Sequence, residues 1–448
     1  MAAKFVNIDR DTPLLLPPDL RDWVKPDHMV HFVMDAVDAL DLSAAIVNER
    51  GTGSAQYPPS MMPGLLICSY ATGTFSSRRI ESQTYENVAV RLLCADTHPD
   101  HDSICKFRRE NKELLGSAFH QVLELAANAH VLKVGDIIVS IDGSKILANA
   151  SKHGAMSHDH LEKQMKLAEE ADSAPLQDGL SIPVEIKRRE DRIAKLKEAK
   201  KVMEERAKKR FEIEQAEHEA KVAAREAKEK ETGKKSRGKK PEPPTAGPGP
   251  EDQYNFTDPE SRIMKDGGSF EQCYNAQVAV EVGTMLIVGQ RVSDAPNDKE
   301  QMQPTLAAVS PVAGTVAAAL VDSGYYSGKA VAAVEEDGKG PKVSAAVKRH
   351  GHGRSVRQLE ERPDPPAPPP GASAGEIMAH RLETKAGRDL YGLRKQTVEP
   401  VFGIVKEALG FRRFLLRRLE MASLEWTLVS TSYNMKRLFN LGMTIKVG

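Results

Sequence analysis

Apolar residues recur at helical spacing through the first 130 or so positions. The runs HMVHFVMDAVDAL and LLGSAFHQVLELAANA both place apolar side chains on one face of a helix, and strand-like alternation is scarce. A compact helical domain over residues 1–130 is expected. At residue 134 the pattern changes. VGDIIVSIDGSKILA is β-branched up to Asp142-Gly143, which reads as a buried strand running into a turn. NAQVAVEVGTMLIVGQRVS predicts two strands joined about Gly283. GTVAAALVDSGYYSGKAV predicts a strand ending at Asp322, a glycine turn and a helix, and PKVSAAVKR a further short strand. Strands followed by helices predict an α/β (α+β) domain.

Two stretches interrupt that pattern. Residues 185–232 are dense in Lys, Glu, Arg and Ala, with Ile186, Ile193, Leu196 and Met203 near heptad spacing before the seam weakens. This predicts a long charged helix, as a helical hairpin or an imperfect coiled coil. It ends in TGKKSRGKKPEPPTAGPGPED, which has no means of forming a core and reads as a disordered linker. RPDPPAPPPGASAGE, residues 362–376, is a second proline-rich break. Both read as insertions into one domain. The expected organisation is 1–130, 131–165 as the first part of the α/β domain, 166–252 as insertion and linker, and 253–448 as the remainder.

Composition narrows the class. A chain of 448 residues is long enough for two or three domains. Its 63 Lys and Arg balance 63 Asp and Glu, so whole-chain charge points to no nucleic-acid partner, although FRRFLLRRLEM is locally basic. The four cysteines form no CxxC pair, which argues against a zinc ribbon and fits a reducing cytosol. The N-terminus reads as no signal peptide, and no apolar run approaches the roughly 20 residues of a membrane helix. A soluble, cytoplasmic protein with no membrane partner is expected.

The candidate chemistry is carboxylate chemistry. Asp142 and Asp322 each end an apolar strand and meet a glycine turn, where a rigid strand presents a side chain to solvent. The plain alternative is an Asp-Gly turn. Glu399 falls on a helix whose apolar face is Val398, Val401, Phe402, Val405 and Leu409, and it shares a second face with Lys406. Three converging carboxylates repel one another, and a divalent cation relieves that repulsion. Mg²⁺ suits oxygen ligands, and two ions about 3.5–4 Å apart serve phosphodiester chemistry. Pro400 reads as the first turn of its helix. His153, His158 and His160 are a weaker cluster, for a metal or a loop near DNA. Asp258 reads as a fourth acid or as part of a turn before Pro259. GHGRS, residues 351–355, is too short for a phosphate loop. Arg412, Arg413, Arg417 and Arg418 read as phosphate contacts or as a solvated helix face.

These words together resemble the DDE-type transposases of bacterial insertion sequences. SSRRIE and PDHDSICKFRREN resemble the family's helical N-terminal domain. IDGSKILANASKHGAMS resembles the segment around its first aspartate. NFTDPESRIMK and YNAQVAVE resemble its central strands, VDSGYYS its second aspartate, and RKQTVEPVFGIVK with FRRFLLR its glutamate helix. The resemblance implies an RNase H-like mixed sheet with flanking helices. It also implies catalytic, metal-binding Asp142, Asp322 and Glu399, with Mg²⁺ or Mn²⁺ as cofactor. Tyr391, Arg394, Lys395, Lys406, Arg412 and Arg413 would contact DNA. The partners implied are terminal inverted repeats, target DNA and a second copy of the chain, with the protein on the bacterial nucleoid when DNA-bound. In relatives a tyrosine, a basic residue, the glutamate and a lysine keep fixed spacing. Tyr391, Glu399 and Lys406 keep it here, while Arg394 stands one residue early and Lys395 occupies its place. The proline-rich segment stands where many relatives are cysteine-rich. The rival readings are a catalytically inactive, domesticated DNA-binding protein and a coiled-coil scaffold.

Overall fold

The computed structural model describes residues 19–47, 56–172, 182–232, 239–347 and 363–445. GHGRS lies outside the described residues. The chain divides into two compact units, one of residues 1–146 with 274–448, the other of residues 147–273.

Among the described residues, the first unit opens with a short 3-10 turn, Leu20–Trp23, and six α-helices: α1 (Met29–Asp38), α2 (Met61–Ala71), α3 (Ser77–Glu86), α4 (Val88–Leu93), α5 (His101–Glu110) and α6 (Lys112–Asn128). The helical region predicted over residues 1–130 is present, but it shares its compact unit with the sheet. The reason lies at the other end of the chain. Helix Leu419–Asn440 packs against α2, α6 and the sheet, and buries Trp426, Leu428, Val429, Tyr433, Met435 and Leu438. Its polar residues are equally committed. Glu425 is fully buried and accepts hydrogen bonds from the Leu415 and Leu416 amides and from Tyr70 Oη. Tyr70 in turn accepts from buried Arg108 at 2.7 Å. Lys436 donates to the Ala71 carbonyl at the C-terminal end of α2, where a cation is favoured. Charged groups this deeply buried must be paired, and pairing ties α2 and α5 to the last helix.

The sheet strands of this unit are β1 (Gly135–Leu147), the strand Ser269–Glu281, whose first residues still belong to the second unit, the strand Ile287–Ser293, the strand Gly314–Val321 and the strand Lys342–Ala345. Counting the short strands of the second unit described below, these four are β5, β6, β7 and β8. Their order is β6-β5-β1-β7-β8. β5 and β6 are antiparallel, while β1, β7 and β8 are parallel, so the sheet is mixed and RNase H-like. The hairpin predicted about Gly283 is β5–β6. Asn434 completes its backbone pairing, with Oδ1 accepting from the Ile287 amide and Nδ2 donating to the Ile287 carbonyl, both at 2.8 Å.

The second unit holds β2 (Ala155–Ser157), α7 (His158–Asp172), α8 (Ile182–Thr232), β3 (Gln253–Asn255) and β4 (Arg262–Asp266). The charged run is one helix of 51 residues. Leu196, Ala199 and Met203 recur at helical spacing and close over Leu161, Ala168 and Tyr254, so α7 and α8 form a hairpin with its own small core. Beyond Ala207 the seam ends, and Ile213 is exposed. The expected insertion bounds, 166 and 252, therefore fall inside a unit that also uses α7 and β3. The linker differs from expectation too. Its described residues 239–252 are irregular, yet Arg225 donates to the Lys239 carbonyl and Arg210 forms a two-point ion pair with Asp252 at 2.8 and 2.9 Å. Side chains of α8 thus hold a segment that lacks a core of its own.

Leu196→Ala should destabilise this hairpin by about 2–5 kcal/mol. Amide exchange should accelerate in α7 and α8 and stay unchanged in β1 and β7. Unchanged protection in α7 would show that the seam does not hold the hairpin.

Candidate active site

β1 and β7 are parallel neighbours, with Ile141 opposite Val321. That register brings the next residues, Asp142 and Asp322, side by side. Asp322 directly follows β7, as predicted, and leads into a single helical turn, Ser323–Tyr325. Asp142 differs from prediction. β1 continues through Asp142-Gly143 to Leu147, so no turn forms there. Gly143 serves close approach instead, since a Cβ at this position would lie 2.1 Å from Gln277 Nε2 on β5.

Glu399 comes from a third element. After helix α9 (Met302–Ala307), α10 (Gly328–Glu335) and α11 (Ala374–Glu383), helix α12 spans Lys385–Gly403, and Leu419–Asn440 is α13. Thr384 caps α12 by accepting from the Gly387 amide at 3.1 Å. Pro400 lies inside α12, near its end, and not in its first turn. Proline supplies no N–H to the preceding turn, and a widened π turn follows over Ile404–Ala408. Glu399 thus sits late in the helix, where this irregularity begins.

One cation joins the three acids. Arg394, buried on α12, places Nη1 3.7 Å from Asp142 Oδ2 and Nη2 3.8 Å from Asp322 Oδ1. Its Nη2 also donates to Glu399 Oε1 at 3.2 Å. Spacing alone favours Lys395, which is exposed on the next helical position. The helix turns Arg394 inward and Lys395 outward. Tyr391 donates from Oη to the Val321 carbonyl, fixing α12 against the residue before Asp322. Lys406 was expected to extend toward DNA. Its Nζ instead donates to the Lys145 carbonyl on β1 at 2.9 Å.

Exposure differs among the acids. Asp322 and Glu399 have side chains about half exposed, at 50% and 49%, whereas Asp142 is 25% exposed. Burial pushes the Asp142 carboxyl up to about 6, against the pull of the Gly143 amide and Arg394, and Asp322 and Asp298 add to the rise. Asp298, in the loop after β6, is a fourth acid that sequence reading missed. Asn275 Nδ2 and Gln277 Nε2 donate to its Oδ1 at 2.7 and 2.8 Å, and Lys145 Nζ lies 3.7 Å away. Nothing in SDAPNDKE sets it apart from a loop acid.

The remaining candidates disperse. His153 and His160 are exposed, and His158 lies 3.9 Å from Glu162, all in the second unit. Asp258 is buried in a turn where Asn255 Oδ1 accepts from its amide. Arg412, Arg413, Arg417 and Arg418 occupy a loop between α12 and α13 and not a helix face. All four are exposed, while Phe411 before them and Phe414 between them are buried. Arg412 pairs with Glu407. The four cysteines are free, and burial pushes the Cys68 and Cys94 thiols up to about 11 and about 12.

Among the described residues, no three His, Cys, Asp or Glu side chains are gathered tightly enough to ligate one ion as they stand. The donor chemistry nevertheless fits a hard divalent cation. Three carboxylates on three elements share one cationic neighbour, and two of them are half open to solvent. A metal ion there requires the guanidinium to give way or the carboxylates to draw in.

Two parts of the chain match known families. Residues 18–110 match the family described as Transposase domain (DUF772), and residues 243–435 match the family described as Transposase DDE domain. The second match contains Asp298, Asp322, Arg394, Glu399 and Lys406, and begins after Asp142. No curated protein and no solved structure matches the chain. No helix among the described residues is long and apolar enough to cross a membrane.

The raised Asp142 carboxyl sets a pH dependence. Unfolded, this group ionises near its ordinary value of about 3.9. Between that value and about 6 the native state binds the extra proton, so the group's contribution to stability falls as pH rises. In cation-free buffer Asp142→Asn should therefore stabilise the protein at pH 8, on the order of 1–3 kcal/mol, and about half as much at pH 5. Thermal melts at the two pH values check this. Equal shifts at both, or a loss of stability at pH 8, would contradict it.

Proposed function

Because the chain belongs to the DDE-type transposases of insertion sequences, we propose that it cuts and joins phosphodiester bonds at the element's ends, with Asp142, Asp322 and Glu399 as its metal-holding acids. What supports this assignment is the Arg394 guanidinium, which lies within 4 Å of all three carboxylates. A pair of Mg²⁺ or Mn²⁺ ions would supply an activated attacking oxygen and stabilise the leaving one. The chain's own residues supply position. β1 and β7 hold Asp142 and Asp322 in register, and α12 brings Glu399 to them. Tyr391 and Lys406 tie α12 to the carbonyls of Val321 and Lys145, so the helix cannot slide along the strands without breaking both bonds.

Transposases bind DNA, and in this reading the DNA comprises terminal inverted repeats and target, held by a homo-oligomer in the bacterial cytoplasm. Arg394 offsets part of the acids' charge, a role for which an always-charged planar guanidinium is suited. Exposed Lys395 and Arg413, with Arg412, face solvent and can pair with phosphate. Residues 1–130 contribute DNA contacts, and residues 166–252 are an accessory to the catalytic fold.

Alanine at Asp142, Asp322 or Glu399 should lower Mg²⁺-dependent cleavage of element-end DNA by about 10²–10³-fold or more, with DNA affinity largely kept. Near-normal cleavage by any one of them would remove it from the site. Arg394→Ala should damage cleavage severely. Lys395→Ala should instead make the slope of log affinity against log salt shallower by about one, the mark of one lost phosphate contact. The reverse pattern would assign the inner role to Lys395.

A further inference from the structure

Beside the three acids lies a group of polar side chains that cleavage chemistry leaves without a task. Asn275, Gln277 and Tyr325 are buried almost completely, and Asp298 is 25% exposed. Buried polar groups cost stability unless satisfied, and an apolar filling of the same shape is often no worse. Here the fold has made room for them. Gly143 carries no side chain, and any Cβ would collide with the Gln277 amide.

The hydrogen bonds run in one direction. Asp298 Oδ1 accepts from both Gln277 Nε2 and Asn275 Nδ2. A carboxylate can only accept, so it fixes the Gln277 amide with its nitrogen toward Asp298. Gln277 Oε1 then faces the other way and accepts from the Tyr325 hydroxyl. Asn275 Oδ1 braces the same amide at 3.0 Å. The Gln277 main chain is held as well, since Trp426 Nε1 donates to its carbonyl at 3.1 Å. One end of this chain of bonds is the loop after β6, and the other is Tyr325, three residues beyond Asp322. Its middle presses on Gly143, next to Asp142, and Lys145 flanks Asp298.

We propose that Asp298, Gln277 and Tyr325 form a positioning relay that sets the separation of Asp142 from Asp322, and so governs how tightly the pair binds a divalent cation without touching it. This rests on the assignment of those two acids to metal. Breaking the relay lets the turn bearing Asp322 move relative to β1, so the two carboxylates no longer meet one ion at matched distances. A residue that merely supports the fold would alter melting temperature and leave cation affinity alone.

The test is Mn²⁺ titration of the full chain by calorimetry, alongside thermal melts. Tyr325→Phe keeps the ring and removes the donor, and should weaken Mn²⁺ binding about tenfold or more while the chain still melts cooperatively. Asp298→Ala should weaken it similarly. Asp298→Glu, which keeps the charge and the accepting oxygens, should recover most of the loss. If Tyr325→Phe proves poorly folded, the Asp298 pair decides alone, because that side chain is partly exposed. Mn²⁺ affinity within twofold of wild type in a folded Tyr325→Phe or Asp298→Ala would overturn the relay. Asp142→Asn serves as the control. Wild-type Mn²⁺ binding by that variant would overturn the metal assignment itself, a failure distinguishable from loss of the relay alone.

Discussion

A buried guanidinium among three carboxylates is the interaction on which this architecture turns. Asp142, Asp322 and Glu399 come from β1, the end of β7 and α12, and their charges would drive those elements apart. Arg394 offsets that repulsion from inside, with Nη1 near Asp142 and Nη2 near both other acids. The arrangement is electrostatically incomplete, because one positive charge stands against up to three negative ones. Burial of Asp142 makes its ionised form costly. The site is therefore poised to accept further positive charge, which the proposed metal-dependent cleavage requires.

Backbone geometry delivers the acids to that cation. Parallel pairing of Ile141 with Val321 makes Asp142 and Asp322 neighbours, and Gly143 lets the amides of β5 approach from the other side. α12 and the π turn that continues it are docked at two heights, by Tyr391 on the Val321 carbonyl and by Lys406 on the Lys145 carbonyl. The widened turn after Pro400 shifts the register of the following residues, Lys406 among them. α13 holds the β5–β6 edge and, through Glu425, Tyr70 and Arg108, binds the N-terminal helices into the same unit. Those helices are thus built into the unit that carries the site.

Much of this was legible in the residues. Short apolar runs bounded by turn residues, β-branched in β1, marked β1, β5, β6 and β7, and the charged repeat marked α8, because these patterns are local. What was illegible depended on contacts distant in sequence. An Asp-Gly pair looks like a turn, and only the amide of Gln277 against Gly143 explains the glycine within a strand. Pro400 looks like a helix start, but the helix begins at Lys385 because Thr384 caps it there. Spacing favoured Lys395, whereas the facing of α12 selected Arg394, a choice settled by which side packs on the sheet. Asp298 carried no local mark at all, since its partners Asn275, Gln277 and Lys145 come from other strands. The α7–α8 core was hidden because half of its members, Leu161, Ala168 and Tyr254, lie outside the charged run.

The most direct test of the central claim is a crystal structure of the chain with Mn²⁺ and element-end DNA, with the ion located by its anomalous scattering. This account predicts a peak within coordination distance of carboxylate oxygens from both Asp142 and Asp322, and the Arg394 guanidinium displaced from its place between them. A peak elsewhere, with Arg394 still joining the three acids, would contradict it.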